Sequence, residues 1–126
     1  MGRILVIDDE AQIRAMLREG LELHGHEVVE ASNGEEGVRI YGRQRADLVI
    51  TDILMPEKEG LECIQELRRL DPAARVIAIS GGTRLKPMDV LDVAKRLGAR
   101  RTFWKPFDLV RVIAAVQEEL EARPAA

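Results

Sequence analysis

Acidic, hydroxyl and ammonium side chains follow apolar segments at several points along this chain. In chain order they are Asp8, Asp9, Asp52, Ser80 and Lys105. Carboxylates held close together repel one another unless a cation lies among them. Oxygen ligands of this kind suit Mg²⁺, while an ammonium suits a phosphoryl oxygen. A carboxylate beside Mg²⁺ and a lysine can accept a phosphoryl group as an acyl phosphate, so these residue types predict Mg²⁺-dependent phosphoryl transfer.

Five apolar segments have the length and composition of buried strands, and a helical pattern follows each of them. The predicted strands are Arg3–Ile7, Glu27–Ala31, Asp47–Thr51, Val76–Ile79 and Thr102–Trp104. Strands that alternate with helices predict a parallel sheet with right-handed crossovers and helices on both faces. Ligands bind such sheets outside the carboxyl ends of the strands. The polar side chains named above come at these ends of the predicted strands.

Glycine, asparagine and aspartate residues predict where several helices begin and end. Gly25 and Gly98 are interpreted as helix C-caps, Asn33-Gly34 as a turn, and Asp108 as an N-cap. The second helix is predicted over Glu35–Arg43, with a low propensity because it contains two glycines.

Composition limits the classes of protein to which the chain could belong. Its 126 residues suit one domain, which we place at 1–122 with a frayed tail at 123–126 and no separate output domain. The net charge of -3 and the 3% of aromatic residues argue against a nucleic-acid partner. The apolar run near the amino terminus is too short for a signal peptide, and no segment suits a membrane span. The single cysteine, Cys63, indicates a reducing, cytoplasmic setting.

A resemblance to one family rests on five short motifs spread along nearly the whole chain. They are Asp8-Asp9, Asp52 within Asp52-Ile53-Leu54-Met55-Pro56, Gly60, Ser80, and Lys105-Pro106-Phe107. Together they resemble the receiver domain of the bacterial two-component response regulators. The resemblance implies a doubly wound, flavodoxin-like (βα)5 fold with a five-stranded parallel sheet in the order 2-1-3-4-5.

The resemblance also implies a role for each site residue. Asp52 resembles the phosphoacceptor, which attacks the phosphohistidine of a sensor histidine kinase or histidine phosphotransfer protein. Asp9 resembles a direct Mg²⁺ ligand and Asp8 a ligand through water, with the Asp52 carboxylate and the Leu54 backbone carbonyl completing the set. Lys105 resembles the lysine that pairs with Asp52 and then with the phosphoryl group, and it precedes a cis peptide bond to Pro106. Ser80 resembles the switch hydroxyl.

Several other functions are compatible with parts of this pattern. The main alternative is a receiver-like interaction module that is no longer phosphorylated, against which the intact Asp9, Asp52 and Lys105 argue. A haloacid-dehalogenase-like phosphohydrolase would carry a second aspartate two residues after its nucleophile, and Asp52 lacks one. A flavodoxin-like cofactor binder would need a glycine-rich first loop, which is acidic here. The Asp8-Asp9 pair alone would be interpreted as a helix N-cap pair.

The expected function is therefore that of a phosphoacceptor signalling protein, and not of an enzyme acting on a separate substrate. It would change its binding to an unknown downstream protein or pass the phosphoryl group on, and the sequence leaves both outcomes open. One departure from the family concerns Thr102, which stands where an aromatic switch residue is common. The aromatic Phe103 is one place later and is expected on the opposite face of the strand.

Overall fold

The computed structural model describes residues 2–53, 59–81 and 87–122, in which strands and helices alternate along the chain. The elements are β1 (Arg3–Ile7), α1 (Ala11–Leu23), β2 (Glu27–Ala31), α2 (Gly34–Arg43), β3 (Leu48–Asp52), α3 (Glu59–Leu70), β4 (Val76–Ser80), α4 (Pro87–Arg96), β5 (Ala99–Trp104) and α5 (Leu109–Glu121). The sequence motif residues Leu54, Met55 and Pro56 and the tail 123–126 lie outside the described residues.

The five strands form one parallel sheet in the order β2-β1-β3-β4-β5, which confirms the predicted fold class and strand order. β1 pairs with β2 and β3, so it lies inside the sheet and is buried on both faces. A strand in this position must be apolar throughout rather than alternating, which is why Ile4–Ile7 forms a continuous apolar run.

Helices cover both faces of the sheet and give two apolar layers. In the first layer, Leu5 and Ile7 pack with residues of α2 and α3 such as Tyr41 and Ile64. In the second, Ile4 and Val6 pack with residues of α1 and α5 such as Leu17 and Val116. We call these the α2/α3 layer and the α1/α5 layer. Successive residues of one strand therefore anchor opposite layers, and the strand ends are held rigidly between them.

Several helix ends form as predicted, and one does not. Gly25 and Gly98 have φ values of 86° and 116° after α1 and α4, a region that favours glycine. Asp108 caps α5, with its Oδ1 accepting from the Val110 N–H at 3.0 Å. The prediction of a turn at Asn33-Gly34 is wrong, because Gly34 is the first residue of α2. Asn33 is the N-cap, since its side chain accepts from the Glu36 N–H at 2.8 Å.

Three strands differ in their bounds from the sequence prediction. β3 begins at Leu48 and includes Asp52, and β4 includes Ser80, so both polar residues end strands rather than follow them. β5 begins at Ala99, earlier than predicted, and its register with β4 shifts between the pairs Val76↔Ala99 and Ile77↔Arg101. Arg100 is the extra residue of this bulge.

Phe103 lies on the opposite face of β5 from Thr102, as predicted, and also from the other aromatic residue, Trp104. Phe103 packs against the α1/α5 layer, while Trp104 packs against the α2/α3 layer. Thr102 pairs with Ala78, a member of the α2/α3 layer, and so shares the face of Trp104. In the described part of the chain, no helix combines the length and apolar character needed to cross a bilayer.

Candidate functional site

The candidate site lies at the carboxyl edge of the sheet, where four strand ends meet. Asp8 directly follows β1, Asp52 ends β3, Ser80 ends β4 and Lys105 directly follows β5. The neighbouring order β1-β3-β4-β5 places these four residues side by side. Asp8, Asp52 and Ser80 are almost fully buried, at 2%, 3% and 0% exposure. Asp9 and Glu10, which follow Asp8, are exposed.

Lys105 joins three carboxylates with one ammonium group. Its Nζ lies 2.9 Å from Asp8 Oδ2, 3.0 Å from Asp52 Oδ2 and 3.0 Å from Glu10 Oε1. An ammonium has three donors, so these contacts can use all of them. The backbone also holds Lys105 in place, because its N–H donates to the Ser80 carbonyl at 2.8 Å. The peptide bond from Lys105 to Pro106 is cis.

Burial and charge shift the pKa values of two groups in this cluster. Burial raises the pKa of Asp8 to about 6, and the charge of Asp52 adds to this effect. The Glu10 N–H, which donates to Asp8 Oδ1 at 2.8 Å, and the Lys105 ammonium act in the opposite direction. Burial lowers the pKa of Lys105, but its carboxylate partners outweigh this effect and raise it above its ordinary value. The site is therefore built around a permanently charged ammonium and an excess of carboxylates.

The acidic side chains of the site fit a hard divalent cation. Asp8, Asp9, Glu10 and Asp52 each offer a carboxylate oxygen, and these oxygens all lie within 4.8 Å of one another. Lys105 neutralises only part of this charge, so a cation would relieve the remaining repulsion. Mg²⁺ is commonly bound by one or two carboxylates and keeps several waters, for which the exposed Asp9 and Glu10 leave access. Leu54, whose carbonyl was expected to join this set, lies outside the described residues.

Ser80 brings a buried hydroxyl that lacks a hydrogen-bond partner within the described residues. A buried polar group without a partner costs about 1–3 kcal/mol. A hydroxyl in this state is ready to donate to an oxygen that enters the site beside Lys105. The backbones of Ser80 and Lys105 are joined by the hydrogen bond from the Lys105 N–H to the Ser80 carbonyl.

Sequence reasoning gave no role to two residues that the structure places at the site. Glu10 contacts Lys105. Its position directly after Asp8-Asp9 in the sequence could have indicated that it belongs to the site. Arg14 donates from Nη1 to the Asp8 backbone carbonyl at 2.7 Å. A contact to a backbone atom leaves no pattern in sequence, so Arg14 could not be found in this way. The interpretation of Asp8-Asp9 as an N-cap pair is not supported, because the N-cap of α1 is Glu10 and forms no side-chain cap.

Comparison with known proteins gives one consistent result. The sequence profile of the family described as the response regulator receiver domain matches residues 4–117. The chemotaxis protein CheY of Bacillus subtilis is 38% identical over 120 residues, which cover 94% of this chain and 97% of that protein. Sporulation initiation phosphotransferase F of the same organism is 33% identical over 118 residues, covering 94% and 93%.

Solved structures agree with these sequence relatives. The receiver domain of NtrX from Brucella abortus superposes with a TM-score of 0.87 at 30% identity, covering 95% of this chain and 99% of that one. A CheY-like receiver domain protein from Methanospirillum hungatei superposes with a TM-score of 0.87 at 26% identity, covering 96% and 94%. The two likenesses extend over almost the full length of the sheet and helices described above.

Proposed function

The chain belongs to the response regulator receiver domain family of two-component signalling proteins, and we propose that it is a phosphoacceptor that takes a phosphoryl group onto Asp52. The observation that carries the proposal is the convergence of Asp8 and Asp52 on Lys105 Nζ, at 2.9 and 3.0 Å, on a buried sheet edge. Two buried carboxylates and one ammonium give a nucleophile together with a cation for the charge of the incoming group.

The proposed reaction is the transfer of a phosphoryl group from a phosphohistidine of a partner protein. An oxygen of Asp52 forms a bond to phosphorus while the phosphorus–nitrogen bond breaks, and the departing imidazole keeps the electron pair. Lys105 changes partner from the Asp52 carboxylate to a phosphoryl oxygen. Ser80 donates its hydroxyl proton in a hydrogen bond to another phosphoryl oxygen. Both movements compensate charge that the transferring group brings into the site.

Mg²⁺ is the cofactor that we propose for this reaction. Asp9 and Asp52 would bind it directly, Asp8 through water, and Leu54 through its backbone carbonyl. A bound Mg²⁺ supplies positive charge to the oxygens of the transferring phosphoryl group. Asp9 suits direct binding because its carboxylate is exposed at the mouth of the cluster.

The proposed partners are a sensor histidine kinase or histidine phosphotransfer protein as donor and a downstream protein as target. Two outcomes of phosphorylation remain in the proposal: changed binding to the target, or transfer of the phosphoryl group to a further protein. One of the relatives named above is a phosphotransferase by name, which supports transfer of the phosphoryl group as one of the two outcomes. We place the receiver domain at residues 1–122 and the protein in the cytoplasm, where its one cysteine, Cys63, would stay reduced.

Labelling with acetyl phosphate tests the proposal. Incubation with Mg²⁺ should add one phosphoryl group per chain, and peptide mapping should locate it on Asp52. Asp52→Asn should abolish the added mass, while Asp108→Asn serves as a matched control because asparagine also caps helices well. Undiminished labelling of Asp52→Asn would contradict the acceptor assignment. A parent protein that takes up no phosphoryl group would favour the alternative, a receiver-like interaction module.

A further inference from the structure

Arg14 links the first helix to the ends of two strands. Its Nη1 donates to the backbone carbonyl of Asp8 at 2.7 Å, and its Nε donates to Glu30 Oε1 at 3.0 Å. Glu30 lies on β2, next to β1 in the sheet. The Arg14 side chain is 18% exposed, so both contacts are largely shielded from water. One guanidinium therefore fastens α1, β1 and β2 together beside the candidate site.

The peptide plane that Arg14 holds is the one that joins Asp8 to Asp9. The Asp8 N–H still pairs with the neighbouring strand, donating to the Ala31 carbonyl at 3.1 Å. The Asp8 carbonyl lies beyond the ladder of β1 and accepts from Arg14 instead. Because a peptide unit is planar, fixing this carbonyl also fixes the backbone nitrogen of Asp9.

Asp9 depends on this backbone anchor more than its neighbours do. Lys105 holds the carboxylates of Asp8 and Glu10, but the Asp9 carboxylate forms no hydrogen bond or ion pair within the described residues. The backbone therefore fixes the direction of its Cα–Cβ bond, and no contact within the described residues fixes the carboxylate beyond that bond. A rotation of the peptide plane between Asp8 and Asp9 would move the Asp9 Cβ, and with it the carboxylate, relative to the other three acidic groups.

Glu30 holds the Arg14 guanidinium and offsets its charge. The Glu30 carboxylate also contacts Arg18 Nη1 at 2.6 Å, so two guanidiniums share it. Burial raises the pKa of Glu30, but the two guanidiniums outweigh burial and hold it below its ordinary value. Arg14 therefore acts on the site through the geometry of its hydrogen bond and only weakly through its net charge.

We infer that Arg14 is a positioning residue that orients Asp9 for cation binding by clamping the peptide between Asp8 and Asp9. The inference rests on the proposed function, because it concerns the cation that the proposed phosphoryl transfer requires. Groups that orient a metal ligand without touching the metal typically change metal affinity by about 10–100-fold when they are removed. Arg14 meets this description through contacts with a backbone carbonyl and a carboxylate.

Arg18 is a matched control on the same helix. It also forms an ion pair with Glu30, and it donates to the Val28 carbonyl at 3.3 Å, but it does not touch Asp8. Replacing either arginine with methionine removes a charge and one ion pair to Glu30, and Arg18→Met also removes the exposed ion pair of Arg18 with Glu22 at 3.2 Å. Only Arg14→Met also releases the Asp8 carbonyl. The further contacts of Arg18, with Glu22 and the Val28 carbonyl, do not involve Asp8 or Asp9, so weaker Mg²⁺ binding in Arg14→Met alone points to the Asp8 carbonyl contact.

The test is a Mg²⁺ titration of the unphosphorylated protein, followed by the fluorescence of Trp104, the only tryptophan. Arg14→Met should raise the Mg²⁺ concentration at half-saturation by about tenfold or more. Arg18→Met should leave it close to the parent value. In acetyl phosphate labelling, Arg14→Met should shift the Mg²⁺ dependence by the same factor, while saturating Mg²⁺ restores a rate near that of the parent.

Each outcome of this titration decides a separate point. Equal half-saturation in Arg14→Met, Arg18→Met and the parent would overturn the role of Arg14. If Arg14→Met does not fold, as judged by its melting curve without Mg²⁺, Arg14→Lys decides the question. A lysine keeps the charge but cannot hold the Asp8 carbonyl and Glu30 in the same fork, so half-saturation should still rise, and a parent-like value would overturn the inference. A parent without any Mg²⁺ response would contradict the proposed function itself.

Discussion

The folded protein disfavours the ionised form of the Asp8 carboxyl group when no cation is present. Its pKa is raised to about 6 by burial and by the charge of Asp52, whereas an aspartate in an unfolded chain titrates near pH 4 (about 3.9). Between about pH 4 and pH 6 the folded protein therefore binds more protons than the unfolded chain. It follows that this residue's contribution to stability is full below about pH 4 and is lost as the pH rises through 6.

Replacing Asp8 by asparagine should stabilise the metal-free protein at neutral pH. The asparagine keeps an oxygen for the Glu10 N–H and removes a buried charge, so the free energy of unfolding should rise by on the order of 1–2 kcal/mol. The gain should shrink as the pH falls to 4. Urea unfolding in EDTA at both pH values measures it. Millimolar Mg²⁺ should raise the melting temperature of the parent more than that of Asp8→Asn.

Asp9→Asn is the control for this effect, because Asp9 is exposed and carries little cost of burial. It should change the metal-free stability less than Asp8→Asn does, while it also weakens the response to Mg²⁺. An Asp8→Asn protein that is less stable than the parent at neutral pH would show that its ion pair with Lys105 outweighs the cost of burying the charge.

The residues of the site differ in how far sequence could identify them. Asp8, Asp52, Ser80 and Lys105 end or follow apolar runs, and parallel strands bring such positions to one edge. The prediction of a parallel sheet therefore also predicted that these four residues lie close together. The ion pair of Glu10 with Lys105 depends on how the chain turns from β1 into α1. The contact of Arg14 with a backbone carbonyl depends on the direction of α1 and has no counterpart in residue type.

At the scale of elements, β5 shows where a pattern of apolar residues misleads. Its first half contains Arg100 and Arg101. Because these charged residues interrupt the apolar pattern, the strand was predicted to begin only at Thr102. The bulge at Arg100 explains their presence. In regular alternation, two successive residues point to opposite faces. Here both guanidiniums reach Glu119 on α5, with Arg100 Nε at 3.1 Å and Arg101 Nε at 3.0 Å.

Glu119 should contribute more to stability than its neighbour Glu118. The Glu119 side chain is 6% exposed and faces two guanidiniums, whereas the Glu118 side chain is 61% exposed and, among the described residues, pairs only with Arg101. Glu119→Gln should lower the free energy of unfolding by about 1–3 kcal/mol, because it leaves two cations without their shared buried anion. Glu118→Gln should cost less than about 1 kcal/mol, as is usual for exposed pairs.

Urea unfolding of the two glutamine variants at neutral pH and low salt gives this comparison. The variants have the same chemistry and adjacent positions on α5, so they differ mainly in burial and in the number of arginine partners. Equal losses in both would mean that the bulge does not create a distinct anchor between β5 and α5. A larger loss in Glu119→Gln would mean that the bulge fixes β5, and with it Lys105, against α5.

At the scale of the whole molecule, the alternation of strands and helices predicts the sheet but not the order of its strands. Strands β1, β3 and β4 are each buried on both faces. The hydrophobicity of a strand therefore does not show which strands lie next to it in the sheet. The order was predicted only from the resemblance to the receiver-domain family, whose known strand order the chain was expected to share. The register shift in β5 could not be predicted from sequence, because it is a property of paired backbones.

Backbone pairing between β4 and β5 connects the candidate site to Trp104. Ser80 pairs with Trp104 in the sheet register, and the Lys105 N–H donates to the Ser80 carbonyl at 2.8 Å. Trp104 is half-buried against the α2/α3 layer. We therefore expect a change in the partners of Ser80 or Lys105 to alter the surroundings of Trp104. Thr102, on the same face, is too small to act as a swinging ring.

Beryllofluoride, which stands in for the phosphoryl group on Asp52, should change the fluorescence of Trp104 when Mg²⁺ is present. The expected cause is the movement of Lys105 and Ser80 toward the new oxygen-like ligands, which shifts the backbone that carries Trp104. The change should vanish in Asp52→Asn, shrink in Ser80→Ala, which lacks the hydroxyl, and persist in Asp108→Asn. If Ser80→Ala responded like the parent, the hydroxyl would have no part in the coupling. In that case Lys105, which is bonded directly to Trp104, would have to carry the signal alone.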